Sequence, residues 1–167
     1  MRNFSYKLII TLIISAVGVF FIDQSIKEFF VLKAVQMYGV PQNFLYTHAV
    51  DIYETAYVNM RLVFNYGVAF SMFSFLEDSL KWIQLLLISG AFIYVIRLNK
   101  SCYSLPSGIL IGAGLSNIYD RFIHGGVVDY VYWHYGFNFA IFNFADVMID
   151  LAVAWILLLN LKPRLCK

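Results

Sequence analysis

Four apolar stretches, with polar residues gathered at their ends, constrain this chain more than any other feature. They run from Leu8 to Ile22, from Trp82 to Ile96, from Leu105 to Tyr119 and from Phe139 to Leu161, the last interrupted by Asp146 and Asp150. An apolar prelude, Gly67–Phe75, precedes the second. Of all residues 61% are apolar and only 13% are charged, against roughly 25% charged in an ordinary soluble domain. A water-soluble fold of 167 residues could not hide that much apolar surface. Lipid is therefore the solvent for much of it. Each uncharged core is shorter than the roughly 20 residues a span requires, so each helix must run on into its polar flanks. The expectation is a membrane all-α fold of four transmembrane helices, at about 7–28, part of 67–96, 103–121 and 142–162, forming one domain over 1–167. The basic start and first apolar run resemble a signal peptide, but no clear small-residue cleavage site follows. That segment reads as a retained anchor.

Lysine and arginine set the expected orientation. Four spans put both termini on one side, with Arg2, Lys7, Arg97, Lys100, Lys162, Arg164 and Lys167. Lys27, Lys33, Arg61, Lys81 and Arg121 fall on the other side or its helix ends, together with every acidic residue outside the spans. Both termini are thus expected in the cytoplasm. Two outward connections follow, roughly Phe30 to Asn65 and Arg121 to Phe142. The first contains a β-forming run, Tyr57–Phe64. The second is rich in tyrosine, tryptophan and phenylalanine, which favour the headgroup layer. A net charge of +2 gives no reason to expect a nucleic-acid partner. Cys102 and Cys166 have no metal-ligand spacing and both fall on the cytoplasmic side, so they are expected to be reduced and idle.

Ionised groups near hydrocarbon cost at least about 2.5 kcal/mol, which makes the polar clusters functional candidates. Asp23 and Lys27 share a helix face at i,i+4, either as a depth-fixing ion pair or as a grip on a polar headgroup. Asn65 begins Asn65-Tyr-Gly-Val-Ala-Phe-Ser71, where it could cap a helix or hold a peptide backbone in register. Gly112, Ala113, Gly114 and Ser116 suit close helix packing. Asn117, Asp120 and Arg121 follow on one face, and an Asp120–Arg121 pair would brace a site. Asp129 lies in an apolar setting after Gly125-Gly126-Val-Val. Asn143 and Asp146 share a face at i,i+3, and Asp146 in a first turn complements the helix dipole. Asp150, one turn deeper, is expected to be the least solvated.

Two carboxyl groups at one site can hydrolyse an amide unaided. Close together they share one proton. The ionised member takes a proton from water, and the protonated member polarises the scissile carbonyl and protonates the leaving amine. Other chemistries fit worse. H-E-x-x-H, phosphate-binding glycine loops and dinucleotide loops are absent, and His48, His124 and His134 are scattered. No metal site and no cofactor are expected.

These clusters, in this order on a four-span frame, resemble the prolipoprotein signal peptidase (signal peptidase II) family of membrane aspartyl proteases. The matching blocks are Asp23 with Lys27, Asn65–Ser71, Ser116-Asn-Ile-Tyr-Asp-Arg121, Val127-Val-Asp129 and Phe142-Asn-Phe-Ala-Asp146. The resemblance implies catalytic Asp129 and Asp146, supported by Asn65, Asn117, Asp120, Arg121 and Asn143, with Asp23 lining or bracing the site. It also implies a small extracytoplasmic sheet and a short interfacial helix. The implied reaction removes the signal peptide of a diacylglyceryl-prolipoprotein just before the lipidated cysteine, at the outer face of a bacterial inner membrane. Inhibition by globomycin-type cyclic peptides follows from the same resemblance, and a monomer is expected. Ser116 departs from the family's usual glycine, Tyr130 from its phenylalanine, and Ala140 from a frequent proline. The competing reading is a small non-enzymatic transporter or assembly factor whose carboxylates carry protons or cations; no internal pseudo-symmetry favours it.

Overall fold

The computed structural model describes residues 6–67 and 77–166. In chain order these form α1 (Tyr6–Tyr38), α2 (Gln42–Leu45), β1 (Val50–Tyr53), β2 (Val58–Asn65), α3 (Glu77–Leu98), α4 (Ser104–His124), β3 (Val127–Trp133) and α5 (Phe144–Leu161). Short 3-10 turns precede α4 and follow α5.

The 33 residues of α1 reach about 50 Å, well beyond a hydrocarbon core of about 30 Å. Positions 26–38 contain neither glycine nor proline, so nothing stops the helix at the membrane surface. The start of the connection expected over Phe30 to Asn65 is therefore helical. The helix ends at Gly39, whose φ of 62° is left-handed and cheap only without a Cβ; Pro41 then stands at the N-cap of the separate short helix α2. The projecting end is not wasted. Phe30, Val31 and Ala34 form an apolar cluster with Leu45, Val50, Ile52, Leu62, Phe64, Val128 and Tyr130. The sheet is thereby packed onto the C-terminal end of α1. Its strands are antiparallel in the order β1-β2-β3, with irregularities between Asp51 and Tyr53 and between Met60 and Val63. β2 starts one residue after the expected β-forming run and ends one after it.

Among the described residues, three helices are long and apolar enough to cross a membrane: Tyr6–Tyr38, Ser79–Leu98 and Phe144–Leu161. Their exposed faces are apolar, with Ile14, Leu86, Leu87 and Leu157 each more than half exposed. α4 differs. It packs against α1, α3 and α5 and buries Gly108, Ile111, Gly112, Ala113, Ser116, Asn117, Asp120 and Arg121 among others. A helix facing protein on most sides needs small and polar residues more than lipid-soluble ones. Gly112 shows why: an added Cβ would collide with the backbone of Ala16 on α1.

At the opposite end from the sheet, Cys102 and Cys166 are joined as a disulfide, with Cα atoms 5.3 Å apart. The expectation of two separate thiols is corrected here. A sequence separation of 64 disappears because the turn before α4 packs against the turn after α5.

Candidate active site

Local backbone choices deliver the two aspartates. α4 ends at Gly125, in the left-handed region at φ 77°, which turns the chain back into β3. There Val127, Val128, Asp129 and Tyr130 are all buried. β3 pairs with β2, with Asp129 opposite Val63 and Val127 opposite Asn65. Phe142 then bonds back onto β3, its N–H donating to Val131 O at 3.0 Å. That return aims the start of α5 at Asp129. Asn143 is the N-cap, and its side chain and the Asp146 side chain reciprocally accept each other's backbone N–H, at 2.9 and 3.1 Å. This capping box satisfies two otherwise unpaired donors and fixes both residues. Tyr130 secures the same turn by accepting the Phe144 N–H at 3.0 Å, and its ring stacks on Phe30 at 4.5 Å.

Asparagines join the two carboxyl groups. Asp129 accepts from Asn65 Nδ2 at 2.9 Å and from Asn143 Nδ2 at 2.7 Å. Asp146 accepts from Asn117 Nδ2 at 2.9 Å. Asn143 Nδ2 also lies 3.3 Å from Asn117 Oδ1, so one residue touches both halves of the site. Asn65 Oδ1 is spent on the Gly67 N–H at 3.0 Å, which fixes its amide orientation. Its expected capping role concerns a junction, 68–76, outside the described residues. Asp129 is only 2% exposed. Burial, and next the negative charge of Asp146, push its pKa up to about 8, against the pull of Asn65, Lys27 and Asn143.

Behind this pair lies a buried ionic knot. Lys27 Nζ sits 2.6 Å from Asp23 and 2.7 Å from Asp120, and donates to Asn117 Oδ1 at 2.8 Å. Asp23 also accepts the Ala145 N–H at 2.9 Å and the Ser116 hydroxyl at 2.7 Å. Asp120 accepts the Val128 N–H at 3.1 Å and Gln24 at 2.8 Å. α1, α4, β3 and α5 are thus tied at one level of the bundle. The expected Asp120–Arg121 pair does not form. Consecutive helix residues point about 100° apart, so Asp120 faces Lys27 while Arg121 turns towards α3. Arg121 donates to Gln84 at 3.1 Å and to Gly67 O at 2.5 Å, and among the described residues its Nη1 has no partner.

A cavity of about 500 Å³ opens onto the pair. Asn65, Asn117, Arg121, Asp129 and Asp146 line it, as do Gln84, Phe139 and Asp150. Asp23, Lys27, Asp120 and Asn143 are buried behind its wall. Asp150, expected to be the least solvated, is instead exposed, because the i+4 position carries it along the cavity side of α5. Sequence reasoning overlooked Gln24 and Gln84. Each is an amide inside or beside an apolar stretch, and that cost of burial was the available signal. Among the described residues no group of three His, Cys, Asp or Glu could hold a metal ion.

Residues 15–162 match the family described as Signal peptidase (SPase) II. A lipoprotein signal peptidase of Sulfurimonas denitrificans is 53% identical over 167 residues, covering 100% of this chain and 98% of that protein. One from Helicobacter pylori is 49% identical over 147 residues, covering 84% and 83%. A bacterial membrane enzyme solved in meso at 2.3 Å shares the fold, with a TM-score of 0.72 at 23% identity over 97% of this chain and 93% of that one. With a match spanning most of its length and a full-length relative at this identity, the chain belongs to the lipoprotein signal peptidase, or signal peptidase II, family.

Proposed function

We propose that this protein removes lipoprotein signal peptides as an aspartyl protease, with Asp129 and Asp146 as its catalytic pair. The observation that carries this reading is that two carboxyl groups lining one cavity are bridged from behind its wall by Asn143. Asp129, neutral up to about pH 8, holds the shared proton and donates a hydrogen bond to the scissile carbonyl. Asp146, in the first turn of α5 where free N–H groups favour negative charge, takes a proton from water. The water oxygen adds to the carbonyl carbon while Asp129 protonates the carbonyl oxygen. Collapse of the tetrahedral adduct breaks the C–N bond, returns that proton to Asp129, and moves the proton held by Asp146 onto the leaving amine. Asn65, Asn117 and Asn143 hold the carboxyl groups in place. Arg121, which lines the cavity and bonds Gln84 and the Gly67 carbonyl, holds that side of the wall in place.

In this reading α4 is a fourth span, shielded from lipid by its neighbours. Both termini are cytoplasmic, and the sheet, α2 and the dyad lie at the outer face of a bacterial inner membrane. The precursor's apolar signal segment enters beside α5, the cut falls just before a diacylglyceryl cysteine, and the acyl chains stay in lipid. Globomycin-type peptides would compete for the same cavity. The protein acts as a monomer and needs no cofactor.

The test is processing of a lipidated precursor peptide by purified protein. Asp129→Asn and Asp146→Asn should each reduce cleavage at least about 10³-fold while remaining folded. Full activity in either variant overturns the assignment. An unlipidated precursor should be left intact.

A further inference from the structure

α5 carries another carboxyl group one turn beyond Asp146. Asp150 lines the same cavity as the dyad, its α5 neighbours there being the apolar Val147 and Ile149. It lies in a helix apolar enough to span a membrane, where an acid costs at least about 2.5 kcal/mol on insertion scales. The other acids at this level of the bundle are all held by protein groups. Asp23, Asp120, Asp129 and Asp146 each accept at least two hydrogen bonds. Asp150 differs: among the described residues no hydrogen bond or ion pair engages it. Exposed at the cavity wall, it is met by water until a substrate enters, and a donor on that substrate can take the water's place.

We infer that Asp150 is a specificity-determining residue that accepts a hydrogen bond from a serine or threonine hydroxyl of the precursor, two to four residues before the cut. This rests on the proposed peptidase function. Four residues of helix separate Asp150 from Asp146, about 6 Å at 1.5 Å per residue. A substrate must be extended at its scissile bond, and an extended chain covers about 3.3 Å per residue. A residue about two places back from the one being cut therefore comes level with Asp150, and side-chain reach adds one place on either side. A carboxyl group accepts a hydrogen bond in either protonation state. Every precursor offers backbone N–H groups, so only a side-chain donor can discriminate. A hydroxyl is the donor a signal segment carries most cheaply, because serine and threonine satisfy themselves against their own helix backbone. Lysine or arginine there would cost about 2.5–3.5 kcal/mol in the membrane.

The experiment compares kcat and KM for lipidated precursor peptides carrying Ser, Ala or Val at the second, third or fourth position before the cut. Wild type should prefer Ser over Ala about three- to tenfold at one of these positions, mostly through KM. Asp150→Leu should bring that ratio to about one, and Asp150→Asn, which keeps an acceptor oxygen, should retain part of it. Asp150→Ala gives the same readout if the leucine variant does not fold. An unchanged Ser/Ala ratio in the leucine or alanine variant, or no serine preference at any position in wild type, overturns the inference. Cleavage without selectivity defeats this inference alone. Failure of wild type to cleave any peptide defeats the peptidase reading itself.

Discussion

Replacing Lys27 by methionine should cost the fold about 3–5 kcal/mol. Lys27 is 2% exposed and lies 2.6 and 2.7 Å from Asp23 and Asp120, which are 0% and 1% exposed. At an effective dielectric constant of 20 each contact represents roughly 6 kcal/mol of attraction. Most of that is offset by the several kcal/mol needed to desolvate each ion. Methionine nearly matches lysine in length and volume, so little cavity opens. What remains is two buried acids without their shared cation, and removing one partner of a buried pair typically costs about 3–5 kcal/mol. For a chain of this size that is about 6–20 °C in unfolding temperature, measurable by intrinsic fluorescence in detergent. A second variant tests the cause. Asp23→Asn in the Lys27→Met background removes one unpaired charge, while its amide oxygen can still accept the Ala145 N–H. It should recover part of the loss. A Lys27→Met protein that unfolds within about 2 °C of wild type, or a double variant weaker by the sum of the single losses, refutes the electrostatic reasoning.

Four further outcomes follow. Because the Asp129 pKa is raised to about 8, the pair keeps its proton through neutral pH and loses it above, so kcat/KM should fall about tenfold per pH unit beyond about 8; a profile flat to pH 10 contradicts the shared proton. Asn143→Ala removes both the α5 cap and a donor to Asp129, costing about 0.5–2 kcal/mol and most activity. Asn143→Ser should restore the stability but not the turnover, and thermal and peptide assays separate the two. Gly112→Ala, whose Cβ meets Ala16 backbone, should destabilise by about 1–3 kcal/mol, more than Gly114→Ala, whose Cβ meets only the movable end of Ile88. Finally, protein purified without reductant should show no maleimide-reactive thiol, and reduction should expose Cys102 and Cys166 together.

The helices were legible because lipid imposes a composition on them, and the acids were legible because they are out of place there. Asp129 and Asp146 could be singled out on that ground, with their roles implied by family resemblance. The partners of those acids were harder to read. Adjacent numbering suggested Asp120 with Arg121, yet the helix turns them apart and Lys27, 93 positions earlier, takes Asp120. Ser116 read as a departure from a glycine; its hydroxyl in fact binds Asp23 and receives Gln24. The length of α1 was hidden because its C-terminal end answers to the sheet rather than to the membrane. Cys102 and Cys166 meet only through the packing of two turns, which no local pattern encodes.

The choice of asparagine around the dyad has a physical logic. A cation bonded directly to either acid would favour full ionisation of both and empty the site of its proton. A purely apolar wall would hold neither side chain still. Neutral amides fix the geometry while leaving one proton to share. Among the described residues no lysine or arginine nitrogen lies within salt-bridge distance of Asp129 or Asp146. Lys27 is linked to Asp146 through Asn117, which accepts from Lys27 and donates to Asp146. Asn117 thus conveys orientation while keeping the cation at a distance. Asn117→Leu should therefore do more damage to turnover than to folding, since Lys27 keeps both its carboxylate partners. Equal losses of activity and stability would show that Asn117 serves the helix packing and not the acids.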